Sequence, residues 1–113
     1  MELVSVQRER GVTVVAPAVK RLDAAVAPAF KQEVVRLIEA GDTRLLLDLG
    51  GVQFLDSSGL GAIVSILKAL GNRGSLAVCN VQGAVLALFQ LTRMDRVFAL
   101  HPTREDAMAR LGA

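Results

Sequence analysis

The six residues Arg44-Leu-Leu-Leu-Asp-Leu49 constrain this chain more than any other stretch. A strand with one wet face alternates apolar and polar side chains. This one is almost wholly apolar, the pattern of a central strand covered on both faces. Gly41-Asp42-Thr43 leads into the run and Gly50-Gly51 breaks it. With Leu47 buried there, Leu47→Ala is expected to cost roughly 2–5 kcal/mol.

The flanking sequence supplies the remaining layers. Residues 3–9 and Val12 to Val15 are β-rich runs split by Glu9-Arg10-Gly11, which predicts an antiparallel hairpin. Pro17 ends the second strand or makes its tail an edge. Val26, Phe30, Val34, Leu37 and Ile38 then fall on one helical stripe, with Lys31, Gln32, Glu33, Arg36 and Glu39 opposite. Pro28 is tolerated in a first turn, Asp23 or a neighbour is the expected cap, and Gly41 is the stop. Leu60, Ile63, Val64, Leu67 and Leu70 mark a second helix, ended by Gly71-Asn72. Ser75 to Cys79 predicts a buried strand; Val81, Val85, Leu88 and Phe89 mark a shorter helix; Val97 to Leu100 is the expected last strand. Thr103 with Asp106 three residues on resembles a capping box opening a helix to about Leu111. Helices recurring between the later strands imply that those strands run parallel, with the first strand an antiparallel edge. The expectation is one α/β domain over residues 1–113: a mixed β-sheet with an antiparallel edge strand, packed against about four helices.

Composition removes several function classes. With 52% hydrophobic and 21% charged residues the chain has apolar surface enough to order itself. No run approaches about eighteen apolar residues, so no membrane insertion is expected, and no leader pattern is visible, so a cytoplasmic protein is expected. Cys79 is the only cysteine and His101 the only histidine. A disulfide framework and a four-thiolate zinc site are thereby excluded, and neither a metal nor a cofactor is expected. The net charge is +2, from 13 basic and 11 acidic residues. The basic residues are scattered, and Trp and Tyr are absent. Direct nucleic-acid binding is not expected, because it needs a dense basic patch or stacking platforms.

One segment has chemical character: Asp56-Ser57-Ser58-Gly59-Leu60-Gly61, where a strand-like run meets an apolar helix. In open α/β sheets, ligands and partners meet the carboxyl ends of strands. The plainest account is a capped helix with a glycine-softened first turn. Catalysis lacks its parts. A serine nucleophile needs a base, and His101 is the sole histidine. The Gly-x-Ser-x-Gly elbow is absent. No lysine follows the glycines as a phosphate loop requires, the nearest being Lys68. The dinucleotide fingerprint is missing too. Asp48 and Asp56 make a weak pair for a divalent ion, and Asp48 more commonly orients backbone. No enzymatic turnover is expected. A hydroxyl can instead be a substrate: a phosphoryl group on Ser58 would lie near a helix N-terminus and add about −1.5 to −2 charges. On an interface that charge weakens an apolar or acidic partner's grip.

Other residues have ordinary expected roles. Cys79 closes a buried strand as a small core residue. His101, before Pro102, is expected in a surface loop. Met94 and Phe89 are packing groups. Phe54 is either core or part of an exposed patch. Arg21 either pairs with Asp23 or is solvated, and Arg93 and Arg96 lace the surface.

Taken with its flanks, the segment resembles a known signature. Leu47-Asp48-Leu49, Val52 to Leu55 and Asp56-Ser57-Ser58-Gly59-Leu60-Gly61 are similar to the motif of STAS domains, the bacterial anti-sigma factor antagonists and their relatives. Arg21-Leu22-Asp23-Ala24 before a helix resembles the second motif, and Val97-Phe98 with Pro102 to Ala107 the last strand and helix. The resemblance implies a regulatory binding protein. Its phosphorylation site would be Ser58. Its partner-binding residues would be Asp23, Asp56, Ser57, Gly59, Leu60 and Gly61. The implied partner is an anti-sigma factor of the histidine-kinase-like ATPase fold acting as a serine kinase, with a PP2C-type phosphatase to reset the serine. The alternative is a STAS accessory subunit of a transport ATPase, or a component of a sensory signalling assembly. Two departures stand out: Lys20 occupies a place where the family commonly has glycine, and the stretch before Met94-Asp95 lacks the usual glycine-bearing turn.

Overall fold

The computed structural model describes residues 3–112; Met1, Glu2 and Ala113, the ends of the expected domain, lie outside the described residues. Seven strands and four α-helices follow one another as β1 (Val4–Glu9), β2 (Val12–Pro17), β3 (Arg21–Leu22), α1 (Ala27–Glu39), β4 (Arg44–Asp48), β5 (Phe54–Leu55), α2 (Ser57–Leu70), β6 (Ser75–Cys79), α3 (Gly83–Leu91), β7 (Ala99–His101) and α4 (Arg104–Arg110). Single 3-10 turns at Gly71–Arg73 and Met94–Arg96 follow α2 and α3.

The main sheet has the order β1-β2-β4-β6-β7. Strands β1 and β2 pair antiparallel, Glu9 opposite Val12, and every other pairing is parallel. The hairpin turns on two residues, Arg10 and Gly11, with φ of 52° and 78°. Positive φ at both central positions matches the right-handed twist of the strands. Pro17 lies beyond Thr13–Val15, the part of β2 registered on β4, so its missing N–H interrupts no inner ladder.

Strand β4 works as its composition requires. Leu45 and Leu47 join the cluster that includes Phe30, Val34, Ile63, Ile66, Val85 and Phe89 from α1, α2 and α3. Leu46, pointing the other way, joins Val12, Val14, Ala77 and Cys79 against Ala107, Met108 and Leu111 of the α4 region. Side-chain alternation along a strand thus distributes one leucine run between two cores. Phe89 and Phe98 close the first core with an edge-to-face contact, centroids 5.8 Å apart.

Three expectations are corrected. Asp23 does not cap α1: the N-cap is Val26, with no side-chain hydrogen bond, and Asp23 Oδ1 instead accepts from Ala25 N–H at 3.1 Å. The last strand is Ala99–His101, not Val97–Leu100, because Arg93 turns left-handed (φ 60°) and Val97 closes the following 3-10 turn, 51% exposed. His101 is therefore in a strand and half-buried rather than in a surface loop, and its Nε2 is buried without a partner.

A second, two-stranded parallel sheet was not expected. Arg21 and Leu22 of β3 pair with Phe54 and Leu55 of β5. Lys20 C=O anchors it by accepting from Gln53 N–H (2.8 Å) and Phe54 N–H (3.1 Å). Among the described non-glycine residues only Arg10, Asn80 and Arg93 have positive φ. An exposed lysine at position 20 is thus accommodated without backbone strain, whereas before Met94 it is Arg93 that takes the left-handed conformation.

Candidate functional site

The small sheet delivers two loops to one place. After β3 comes Asp23-Ala24; after β5 comes Asp56 and the first turn of α2. The Asp56 carboxylate joins them. Its Oδ1 accepts from Gly59 N–H at 2.8 Å, the N-cap bond of α2, and its Oδ2 accepts from Ala24 N–H at 3.2 Å. One oxygen satisfies a first-turn donor of the helix. The other fixes the neighbouring loop on it. Asp23 bends back onto its own chain at Ala25, with Oδ2 3.6 Å from Arg21 Nε. Arg21 does more than pair: its guanidinium lies over the Phe54 ring, 4.1 Å from the centroid, and Phe54 is half-buried beneath it.

The glycines of the segment do different jobs. Gly59 is buried, and a Cβ there would collide with the Leu22 carbonyl oxygen and stand 2.7 Å from Leu55 Cδ1. It is the position at which α2 passes hard against β3. Gly61 is exposed, with nothing within 4 Å of a Cβ. Leu60 is buried and anchors the turn from below. Ser57 and Ser58, the first two residues of α2, are both exposed.

Beside Ser58 lies a shallow groove of about 370 Å³ between α1 and α2, lined by Ala24, Ala27, Pro28 and Ala62 together with Ser58 and Lys31. Ala24 and Lys31 were not among the residues predicted to matter. Ala24 contributes only its N–H, which no side-chain pattern announces, and Lys31 reads by periodicity as one of several solvated helix residues.

The remaining polar residues assemble elsewhere. Asp48 Oδ1 accepts from Gly50 N–H (2.9 Å) and Asn80 Nδ2 (3.0 Å), and Oδ2 from Arg104 Nη2 (2.8 Å) and Nε (3.2 Å). Burial raises the Asp48 carboxyl, but the bonds from Asn80, Arg104 and Gly50 outweigh it and hold it below the usual carboxylate range. Asp48 and Asp56 share no hydrogen-bond partner, and among the described residues no three metal-ligating side chains gather. His101 Nε2 is buried and has no hydrogen-bond partner, so no bond joins it to either serine. Cys79 is fully buried, and burial with the nearby Asp48 charge pushes its thiol up to about 12. Among the described residues no helix is long and apolar enough to cross a membrane.

The family model described as STAS domain matches residues 4–107. The chain belongs to the STAS domain family. A putative anti-sigma factor antagonist of Thermotoga maritima is 32% identical over 91 residues, 79% of this chain and 80% of that protein. The putative anti-sigma factor antagonist BtrV of Bordetella bronchiseptica is 27% identical over 89 residues, 78% and 77% of the two chains. The crystal structure of an anti-sigma factor antagonist from Mycobacterium paratuberculosis superposes with a TM-score of 0.89 at 29% identity, covering 97% of this STAS domain and 93% of that chain. All three of these relatives carry the name anti-sigma factor antagonist.

Proposed function

We propose that this STAS domain is an anti-sigma factor antagonist: it binds an anti-sigma factor of the histidine-kinase-like ATPase fold and is released when that partner phosphorylates Ser58. The observation that carries the reading is the exposure of Ser58 in the first turn of α2, whose cap Asp56 also holds the Ala24 loop beside it. A kinase active site can reach such a hydroxyl without unfolding the domain. The transfer needs only what the partner brings. A P–O bond forms between Ser58 Oγ and the γ-phosphorus of ATP as the bond to ADP breaks, ADP leaves, and the hydroxyl proton passes to the partner or water. A PP2C-type phosphatase then hydrolyses the ester.

Partner contact falls on the surface around the serine: exposed Ser57, Gly61 and Ala24, with half-buried Asp23 beside them. Gly59 and Leu60 are buried and shape that surface from beneath, and Asp56 holds it in register. The added dianion lies where a docked protein excludes water, so its desolvation and repulsion weaken the complex.

The test is affinity for the cognate anti-sigma factor. Ser58→Asp should bind more weakly than wild type and Ser58→Ala about as well. Equal affinity of all three would refute the charge switch.

A further inference from the structure

We propose that Lys31 is the intramolecular counterion of phosphoserine 58, holding the phosphate across the groove between α1 and α2. The inference rests on the reading of Ser58 as a phosphorylation site and adds what becomes of the phosphate afterwards.

Lys31 and Ser58 line the same groove, one from each helix, and Lys31 is its one charged lining residue. Packed helices lie about 8–10 Å apart, within reach of a flexible four-carbon stem carrying an ammonium. The residues between are small: Ala27, Pro28 and Ala62 leave the path over the groove open.

The neighbouring charges leave Lys31 available. Asp56, from the start of α2, directs its oxygens to Gly59 and Ala24. Asp23, from the loop after β3, lies beside Arg21. Glu33, on α1 itself, accepts from Leu3 N–H at 3.2 Å with both oxygens. Among the described residues no carboxylate lies within ion-pair distance of Lys31. In the unmodified protein the groove is open and carries one cation. A phosphate on Ser58 recruits that cation, and the pair covers the groove. Phosphorylation would then remove a surface as well as add charge.

The experiment installs phosphoserine at position 58 during translation, which makes it independent of any kinase. The phosphate is titrated by phosphorus NMR in the otherwise wild-type protein and in Lys31→Gln, Lys31→Arg and Lys68→Gln. Pairing predicts a second phosphate ionisation about half a pH unit lower in wild type than in Lys31→Gln, the size expected of an exposed ion pair. Lys31→Arg should stay near wild type, Lys68→Gln should change nothing, and high salt should narrow the gap. Identical titrations of wild type and Lys31→Gln would overturn the proposal, as would an equal effect of Lys68→Gln, which would mark a general field. Failure of the anti-sigma factor to phosphorylate Ser58 would instead refute the functional reading and leave the pair standing.

Discussion

Gly59 lies so close beneath the Leu22 carbonyl that no side chain fits between them. The contact presses the first turn of α2 against β3, and the serines ride on that turn. Gly59→Ala should therefore destabilise the fold by about 2–3 kcal/mol, the upper range for overpacking where the obstructing atom is backbone. Gly61→Ala, two residues on, meets open space and should stabilise the helix by about 0.5–1 kcal/mol. Urea denaturation of the two variants separates a glycine required by the fold from one left for a partner. If the exposed surface is the docking face, Gly61→Ala should bind the anti-sigma factor more weakly while being the more stable protein.

The Asp56 carboxylate both caps α2 and holds the Ala24 loop. Asp56→Ala should cost about 1–2 kcal/mol, the range of a lost N-cap. It should also raise hydrogen exchange at the Ala24 and Gly59 amides together. Faster exchange at Gly59 alone would show that the second bond does not hold the loop.

Asp48 gives the fold an acid limit. Its folded-state pKa is lowered: burial opposes ionisation, but Asn80, Arg104 and Gly50 favour the carboxylate more strongly. A lowered folded value means stability that is present above the ordinary Asp range and lost as pH falls through the folded value. Asp48→Asn should flatten the decline in stability as pH falls below the ordinary Asp range of about 3.9. A decline as steep as in wild type would assign the acid sensitivity to other groups.

Cys79 is fully buried and its thiol is pushed up to about 12. At pH 8 a thiol-directed reagent should modify it only as fast as the domain opens, with full reactivity in denaturant. Immediate labelling of native protein would contradict its core position.

Much of this was legible in the sequence, and the exceptions have physical causes. The leucine run of β4, the hairpin around Arg10-Gly11 and the Asp56 start of α2 depend on local patterns, and local patterns are what a sequence displays. Strands β3 and β5 escape because two residues carry no period; they exist because Lys20 C=O and the Leu22–Gly59 contact place them side by side. The last strand starts late because Arg93 adopts a conformation usually left to glycine. Asp23 looks like a cap because aspartate before a helix commonly is one, but the chain turns on it three residues early. The groove holding Lys31 and Ser58 needs two helices packed together, and no single helical stripe reveals it.

The central claim is that Ser58 is the switch. Its most direct measurement is intact-mass analysis of wild type, Ser57→Ala and Ser58→Ala after incubation with the cognate anti-sigma factor and ATP. The account predicts one added phosphoryl group on wild type and on Ser57→Ala, and none on Ser58→Ala. A phosphoryl group retained by Ser58→Ala, or none gained by wild type, would contradict it.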